Sequence, residues 1–381
     1  MKGLEILRRL LLLVSAPLFF VNFSIPVQAK QLGANAIEIG ALFSLFTFSL
    51  LILRPLVGIG LDRYGRRPFL VAALVVYSLS NLFYGFAADV SLMYVARILH
   101  GIGASLLLIT VDSITADLTH AGNRAAEMGR NIEVQTRSSI VGATLGFTLL
   151  GAIPAYAWSL SFGTFSLVAF VAVVIAVVSM PETKQADSMR ISLELTISPG
   201  MWRFLFIVFL SAFASALIQP IYLIYLQDTF NLPVQDLAIA FLPAAIVFAV
   251  LPSRLGKLSD RFGTRMMFCV GMAIAGCVYL VLPEFNHFIV FVIVYTVSAI
   301  GWAISDPARK ALTADYGEEG NQGQVFGTTE LVAGVAATLG PLIGGYIYES
   351  VNAAATFYAN GVLLVITALV AFLLLDRTSR T

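Results

Sequence analysis

Long apolar stretches recur from one end of this sequence to the other, and each can cross a bilayer as a helix. A hydrocarbon core of ~30 Å needs about 20 apolar residues in a helix. Twelve stretches meet this requirement, so the sequence predicts an all-α membrane protein with twelve transmembrane helices. The predicted spans are Leu10–Ala29, Ile39–Ile59, Pro68–Ala87, Leu92–Thr115, Glu133–Ile153, Trp158–Met180, Trp202–Leu226, Leu237–Leu255, Met266–Leu282, Phe288–Asp306, Val325–Ile347 and Ala353–Leu375.

The composition leaves little room for anything outside the membrane. Hydrophobic residues make up 59% of the chain and charged residues only 12%, whereas soluble proteins carry roughly 25% charged residues. The single long polar segment falls after the sixth span, within residues 181–200. It predicts a linker between a six-helix bundle of residues 1–180 and a second of residues 201–381.

The distribution of Lys and Arg predicts the orientation in the membrane. Both termini and the even-numbered loops hold nearly all the basic residues, whereas the odd-numbered loops hold Lys30 and acids. Because cytoplasmic loops carry an excess of Lys and Arg, both termini and the linker are expected in the cytoplasm, in a cell (inner) membrane. A net charge of +1 argues against binding nucleic acid, since nucleic-acid-binding proteins are usually strongly basic.

The second half of the sequence repeats the first. Residues Gly58–Arg67 and Gly256–Arg265 both read Gly-x-x-x-Asp-Arg-x-Gly-x-Arg, and Asp62 and Asp260 lie 198 residues apart. The same offset relates several further glycines and polar residues of the two halves. Parallel repeats about an axis along the membrane normal are a known plan of transporters.

These motifs resemble those of a known family. The loop sequence Asp62-Arg63-x-Gly65-Arg66-Arg67 and its copy are similar to the cytoplasmic loop motif of the major facilitator superfamily. Arg97-x-x-x-Gly101-x-Gly103-Ala104 in span four resembles a motif of its proton-coupled drug antiporters. The resemblance covers the whole chain and implies two pseudo-symmetric six-helix bundles that transport a small molecule.

One element departs from the pattern of exporters in that superfamily. Their fifth span carries Gly-Pro-x-x-Gly-Gly, whereas here residues 142–147 read Gly-Ala-Thr-Leu-Gly-Phe. The intact element stands in span eleven, at Gly340–Gly345. Export therefore has less support from the sequence than the fold has.

The loop motif is expected to act as a cytoplasmic gate. Gly58 has no side chain and would allow close helix contact. Asp62 would accept hydrogen bonds from a helix N-terminus, which the resemblance identifies as that of span eleven. Arg66 and Arg67 would pair with Asp117 or reach lipid headgroups; the alternative is a purely topological role. The gate candidates are Gly58, Asp62, Arg63, Gly65, Arg66, Arg67, Asp117, Gly256, Asp260, Arg261, Gly263 and Arg265.

Charged residues inside membrane spans are costly and point to function. A proton-coupled carrier needs a carboxylate whose pKa responds to desolvation and to nearby cations. The candidates for proton coupling are Arg97, Asp112, Glu133, Arg137, Asp306 and Glu330. Glu133 and Arg137 also fit a structural ion pair, and Asp112 and Asp306 also fit helix ends that reach cytoplasmic water. Asp306 and Glu330 are expected to be buried.

Polar and aromatic residues in spans one, seven and ten are candidates for the substrate cavity. They are Asn22, Gln219, Tyr222, Tyr225 and Trp302. Flat aromatic surfaces suit an apolar or aromatic substrate. We expect no cofactor and no metal, since Cys269 and Cys277 lie in one apolar run without other ligands nearby. The expected partners are the substrate, protons and membrane lipids, and the transporter is expected to act as a monomer.

Three functions are compatible with these features. The first is proton-coupled efflux of a small, partly apolar compound by alternating access. The second is proton-coupled uptake of a sugar, an organic acid or another metabolite. The third, a membrane enzyme or receptor, has little support, because the loops are too short for a catalytic domain and no phosphate-binding loop for ATP occurs.

Overall fold

The computed structural model of the chain describes residues 2–119, 121–152, 156–184, 198–230, 240–244, 246–248, 251, 255, 262–315 and 322–375. Its regular elements in these ranges are helices, which confirms the predicted all-α class. Ten helical segments of the described part are long and apolar enough to cross a membrane. Of the predicted span Leu237–Leu255 the structure describes residues 240–244, 246–248, 251 and 255, and those of 240–244 and 246–248 are helical.

The long helices are numbered here in chain order. They are α1 Lys2–Val14, α2 Leu18–Gln31, α3 Ala36–Tyr64, α4 Arg66–Gly85, α5 Val90–Asp117, α6 Ala121–Ala152, α7 Ala157–Ser179, α8 Pro199–Phe230, α9 Thr264–Val281, α10 Phe288–Asp315, α11 Gln322–Ser350 and α12 Ala353–Leu374. A short 3-10 turn, Leu282–Glu284, follows α9.

The chain divides into two compact units. Unit 1 comprises Met1–Ala34 and Leu45–Arg190, and unit 2 comprises Asn35–Ser44 and Ile191–Thr381. The beginning of α3 therefore clusters with unit 2. There the Ala36 backbone N–H donates to Glu349 Oε2 at 3.2 Å, and a Cβ added at Gly345 would lie 2.2 Å from the Ala36 carbonyl oxygen. Close approach of these backbones explains why glycine is needed at the end of Gly340–Gly345.

The first predicted span is two helices rather than one. Helix α1 ends at Val14 and α2 begins at Leu18. Pro17 lacks the N–H group that would continue the helix, so the break has a covalent cause. The Ser138 hydroxyl of α6 donates a hydrogen bond to the Leu12 carbonyl before the break. A Cβ added at Gly142 would lie 2.0 Å from the Ala16 carbonyl oxygen, so α6 packs directly against the break.

Several predicted spans are parts of longer helices. Helix α5 continues to Asp117 and α10 continues through Pro307 to Asp315. Asp112 and Asp306 therefore lie inside helices rather than at helix ends. The sequence boundary was set by hydrophobicity, whereas a helix is free to continue beyond the apolar stretch because its hydrogen bonds are internal.

The internal repeat is present in the structure as matching contacts. Gly65 has φ 94° and Gly263 has φ 92°, and each immediately precedes a helix, α4 or α9. The Arg67 guanidinium donates to the carbonyl of Val177 near the end of α7. The Arg265 guanidinium donates in the same way to the carbonyl of Phe372 near the end of α12.

A second matched pair of contacts joins the last two helices of each half. The Ser161 hydroxyl donates to the Gly146 carbonyl at 3.2 Å, and the Thr356 hydroxyl donates to the Gly344 carbonyl at 3.4 Å. Gly146 and Gly344 are 198 residues apart, but Ser161 and Thr356 are 195 apart. The two halves thus align without a gap as far as the helix that carries Gly146 or Gly344. The connection to the last helix is then three residues shorter in the second half than in the first.

Candidate functional site

A carboxylate from the segment after α7 holds the loop motif between α3 and α4. Glu182 Oε1 accepts a hydrogen bond from the Arg66 backbone N–H at 2.8 Å, and Oε2 accepts one from the Arg67 N–H at 3.1 Å. The first N–H groups of a helix lack partners within it, and its N-terminus favours an anion. A Cβ added at Gly65 would lie 2.5 Å from Glu182 Oε2. Gly65 is thus required by its conformation and by the space available.

The same backbone contacts set the pKa of Glu182. Partial burial acts to raise the pKa of this carboxyl, but hydrogen bonds from four backbone N–H groups outweigh it and lower the pKa below its usual value. The N–H groups belong to Arg66, Lys184, Arg67 and Thr183. Glu182 is therefore a carboxylate throughout the physiological range.

The Arg66 side chain ties this loop to the end of α5. Its Nε donates to Asp117 Oδ2 at 3.0 Å, and one of its terminal nitrogens donates to the Leu61 carbonyl at 2.7 Å. The Thr183 hydroxyl donates to the same Asp117 oxygen at 3.3 Å. We call Gly65–Arg67, Asp117 and Glu182 the loop-motif clamp. Sequence reasoning missed Glu182 and Thr183, although an acid directly after Pro181 at a span end was a usable signal.

The remaining loop-motif residues are less involved in this clamp. The Arg63 guanidinium carbon lies 5.3 Å from the ring centroid of Tyr64. The expectation of close helix contact at Gly58 is wrong for the described structure, where an added Cβ would meet no atom within 4 Å. Gly60 makes the close contact instead, against the Phe69 ring. Asp62 lies on α3, and its expected contact with span eleven lies outside the described side chains.

The second copy of the motif is described in part. Gly256, Asp260 and Arg261 lie outside the described residues. Gly263 and Arg265 are described, and the Arg265 guanidinium carbon lies 5.0 Å from the Phe372 ring centroid.

Arg97 is buried within α5 among aromatic rings. Its guanidinium carbon lies 5.3 Å from the Phe46 ring centroid, and it is hydrogen-bonded to the Tyr84 hydroxyl. That hydroxyl lies 3.4 Å from His100 Nδ1. The His100 ring packs against Phe46 and Tyr77, with centroids 4.9 and 5.2 Å away. We call Phe46, Tyr77, Tyr84, Arg97 and His100 the Arg97 cluster.

Gly101 brings α3 close enough to complete this cluster. A Cβ at Gly101 would lie 2.5 Å from the Phe46 carbonyl oxygen. The spacing Arg97-x-x-x-Gly101 places both residues on one face of α5. The motif thus combines a charged side chain with the close helix contact that surrounds the charge with rings.

The predicted acids of unit 1 lie elsewhere. Asp112 is exposed on α5, where Arg54 of α3 interacts with it electrostatically. Glu133 and Arg137 form an ion pair at 3.1 Å on α6, with side chains 62% and 77% exposed in unit 1. The pair therefore lies on the surface of α6 and is not enclosed by the other helices of unit 1.

The predicted acids of unit 2 form one charged cluster. Asp306 pairs with Arg309 at 3.2 Å and with Lys310 at 3.1 Å, and Arg309 reaches Glu330 of α11 at 3.8 Å. The expectation that Asp306 and Glu330 are buried is wrong, because their side chains are 42% and 55% exposed. Both acids are partly exposed because their basic partners, Arg309 and Lys310, lie on the part of α10 that continues beyond the predicted span.

The predicted cavity residues occupy two different environments. Asn22 of α2 and Gln219 of α8 are exposed in their units. Tyr222 and Tyr225 are buried within unit 2, and Trp302 is half-buried there. The structure does not bring all five together within one unit. In the described residues no group of three or more His, Cys, Asp and Glu side chains could hold a metal ion.

Comparisons with known proteins relate the whole chain to one transporter family. The sequence profile described as Major Facilitator Superfamily matches residues 10–251 and 204–381. Multidrug resistance protein 2 of Bacillus subtilis is 26% identical over 348 residues, covering 86% of this chain and 85% of that protein. Quinolone resistance protein NorA of Staphylococcus aureus (strain COL) is 21% identical over 347 residues, covering 89% of this chain and 88% of that protein.

Solved structures show the same fold. A bacterial homolog to the human lysosomal transporter Spinster, in an inward-facing and occupied conformation, matches with a TM-score of 0.80 and 17% identity, covering 99% of this chain and 98% of that chain. The human organic anion transporter MFSD10 matches with a TM-score of 0.67 and 16% identity, over 97% of this chain and 99% of that chain. At these identities the likeness concerns the fold alone.

Proposed function

Because the chain belongs to the Major Facilitator Superfamily and is a multi-pass membrane protein, we propose that it exports small, partly apolar compounds in exchange for protons. The resistance proteins to which it is similar support export of drug-like compounds. The proposal involves no covalent chemistry, and under it the protein acts as a carrier and not as an enzyme.

The buried Arg97 carries the proposal. Its side chain is 1% exposed within a helix able to cross the membrane. A charged group at such a depth costs at least ~2.5 kcal/mol on insertion scales. A structural role alone is served by apolar residues at lower cost. A cation whose environment changes during the transport cycle, by contrast, is able to couple substrate movement to a proton.

The proton itself requires a carboxylate, and the proposal names two places for it. One is Asp112, which faces Arg54 on the exposed side of α5. The other is the pair Asp306 and Glu330, which share Arg309. Basic partners favour the charged form of an acid, so movement of Arg54 or Arg309 away from the acid would promote proton uptake. Glu133, paired with Arg137 on its own helix, is the weaker candidate.

The loop motif supplies the proposed cytoplasmic gate. The loop-motif clamp would hold Gly65–Arg67 in place while Asp62 makes and breaks its contact during the cycle. The gate proposal also includes the second copy of the motif. Both termini and residues 181–200 are placed in the cytoplasm, in keeping with the excess of Lys and Arg there. The carrier would act as a monomer in the cell membrane, surrounded by lipid.

Transport in proteoliposomes tests this function. The full-length protein is reconstituted with an acidic lumen and neutral exterior, and uptake of ethidium, glucose and citrate is measured separately. Proton exchange predicts accumulation of ethidium in the acidic lumen, which collapses when an ionophore removes the pH gradient. Because the gradient sets the direction, accumulation does not depend on the orientation of the inserted protein.

Accumulation under the reversed pH gradient would identify uptake by symport. Accumulation of glucose or citrate only when the exterior is the acidic side would contradict export and support the alternative function. Empty liposomes and liposomes carrying Arg97→Ala protein provide the controls for passive entry. Gradient-independent movement of every compound would contradict proton coupling.

A further inference from the structure

Aromatic rings from four helices meet inside unit 2. Tyr222 of α8 lies 4.2 Å from Tyr295 of α10, measured between ring centroids, and 5.8 Å from Phe291. Tyr225 lies 4.5 Å from Phe357 of α12. Tyr279 of α9 reaches Phe357 at 6.4 Å. We call this set, Tyr222, Tyr225, Tyr279, Phe291, Tyr295 and Phe357, the tyrosine cluster.

Two polar groups at this cluster are buried without a hydrogen-bond partner. The Tyr222 hydroxyl has none, and neither the oxygen nor the nitrogen of the Asn360 amide has one. Tyr222 is 3% exposed and Asn360 is 0% exposed. Leaving a buried donor or acceptor unsatisfied costs about 1–3 kcal/mol. The Tyr225 hydroxyl of the same cluster, by contrast, donates to the Pro283 carbonyl at 3.4 Å.

The helix directions place these two groups at the same level. Helix α11 runs parallel to α8, since Gly340 lies against Phe213 and Tyr348, further along, donates to Asp228 at 2.9 Å. Helix α12 turns back after Asn352 and is therefore antiparallel to α8. Tyr225 contacts Phe357. Tyr222 lies three residues before Tyr225 on α8, and Asn360 lies three residues after Phe357 on α12. Because the two helices are antiparallel, Tyr222 and Asn360 both lie about one turn from this ring contact, on the same side of it.

The chemistry around the two groups defines what they can bind. The tyrosine cluster and Asn360 carry no charged side chain. The rings offer flat apolar faces, whereas the amide and the hydroxyl each donate and accept hydrogen bonds. Gln219, three residues before Tyr222 on α8, is exposed, so the surface of unit 2 begins about one helical turn from Tyr222.

From this combination we infer a recognition site within the C-terminal unit for a planar aromatic compound bearing an uncharged amide or keto group. The aromatic part packs on the tyrosine cluster, and the amide or keto group pairs with the Tyr222 hydroxyl and the Asn360 amide. The inference rests on the proposed function, because it assigns a substrate class to the same carrier. It assigns specificity to α8 and α12 of unit 2 and not to the Arg97 cluster of unit 1.

Equilibrium binding of two matched probes tests the site. The full-length protein in lipid nanodiscs is titrated with 1-naphthamide, which carries the amide, and with 1-methylnaphthalene, which lacks it. The wild-type protein should bind 1-naphthamide at least fivefold more tightly. Tyr222→Phe and Asn360→Leu should each remove most of that difference while leaving the affinity for 1-methylnaphthalene unchanged.

Tyr348→Phe is the matched control, because it also removes one tyrosine hydroxyl from unit 2, but one already paired with Asp228. It should bind both probes as the wild type does. Equal affinity of the wild type for the two probes overturns the inference. Unchanged 1-naphthamide affinity in both site variants also overturns it and assigns the two groups to buried water. If Asn360→Leu does not fold, Tyr222→Phe decides alone, since it loses one oxygen atom.

This test is independent of the test of the proposed function. Binding is measured without a pH gradient, whereas the proteoliposome experiment requires one. Normal gradient-driven export by both site variants, with unchanged binding, rejects the recognition site and leaves export standing. Selective binding of 1-naphthamide without any gradient-driven transport rejects proton-coupled export and leaves the site standing.

Discussion

The Glu182 carboxylate is hydrogen-bonded to the backbone of Arg66, 116 residues earlier in the chain, at 2.8 Å. This contact attaches the segment that follows α7 to the first turn of α4. The connection is made through backbone N–H groups, so it does not depend on which side chain stands at position 66. The side chain of Arg66 remains available for Asp117.

Glu182→Gln should weaken this attachment. The amide keeps the shape of the carboxylate but loses the charge that strengthens its hydrogen bonds. We expect a loss of about 1 kcal/mol in stability and faster cleavage by trypsin at Lys184 or Arg190. Thermal unfolding and a proteolysis time course measure both effects. Glu5→Gln, an exposed acid of α1, is the control, and equal cleavage of the two variants would contradict the assignment.

The attachment should also depend on pH in a defined direction. The folded-state pKa of Glu182 is lowered, so its stabilisation is present above the unfolded pKa of about 4.3 and is lost as the pH falls through the folded value. The melting-temperature difference between wild type and Glu182→Gln should be constant from about pH 8 to 6 and shrink below about pH 4.3. A difference that grows on acidification would rule out this account.

The positive-φ glycines Gly65 and Gly263, which precede α4 and α9, should respond differently to alanine. Both substitutions force a positive φ with an extended ψ on a residue with a side chain, at a cost of about 1–3 kcal/mol. At Gly65 the new Cβ also meets Glu182 Oε2 at 2.5 Å, whereas at Gly263 no described atom lies within 4 Å. Thermal unfolding should therefore show a larger loss for Gly65→Ala. Equal losses would mean that the Glu182 contact is dispensable.

The break in span one should make Gly142 sensitive to size. An added Cβ lies 2.0 Å from the Ala16 carbonyl oxygen, and relieving such overpacking costs about 1–3 kcal/mol. Gly163 of α7 has no described atom within 4 Å of an added Cβ, so Gly163→Ala should be neutral or stabilise by up to about 1 kcal/mol. The melting temperatures of the two alanine variants measure this contrast. A tolerant Gly142 would show that α6 does not hold the break.

Arg97→Ala should abolish gradient-driven export while leaving the protein in the membrane. We expect at least a tenfold loss of the initial rate in proteoliposomes, because no other cation occupies the Arg97 cluster in the described residues. Arg203→Ala, which removes an exposed arginine of α8, should keep the wild-type rate. Full export by Arg97→Ala, measured at equal protein content, would remove Arg97 from the mechanism.

The length of the apolar stretches and the loop motif predicted the helical fold, because each of them can be recognised within a short stretch of sequence. The tie of Glu182 to α4 was not predicted, since it depends on how the segment after α7 returns to a loop that precedes it by four helices. Asp306 and Glu330 were expected to be buried because spans were delimited by apolar residues. The structure extends α10 to include Arg309 and Lys310, which changes the environment of both acids.

The hydrogen bond from Ala36 to Glu349 has a consequence for biosynthesis. The two residues are 313 positions apart, so at about 5–20 residues per second the ribosome needs roughly 15 to 60 seconds to supply the second after the first. During that interval the beginning of α3 has been inserted but its partner helix α11 has not been made. Until translation is nearly complete, water or a lipid headgroup must take the place of Glu349 as the partner of the Ala36 N–H group.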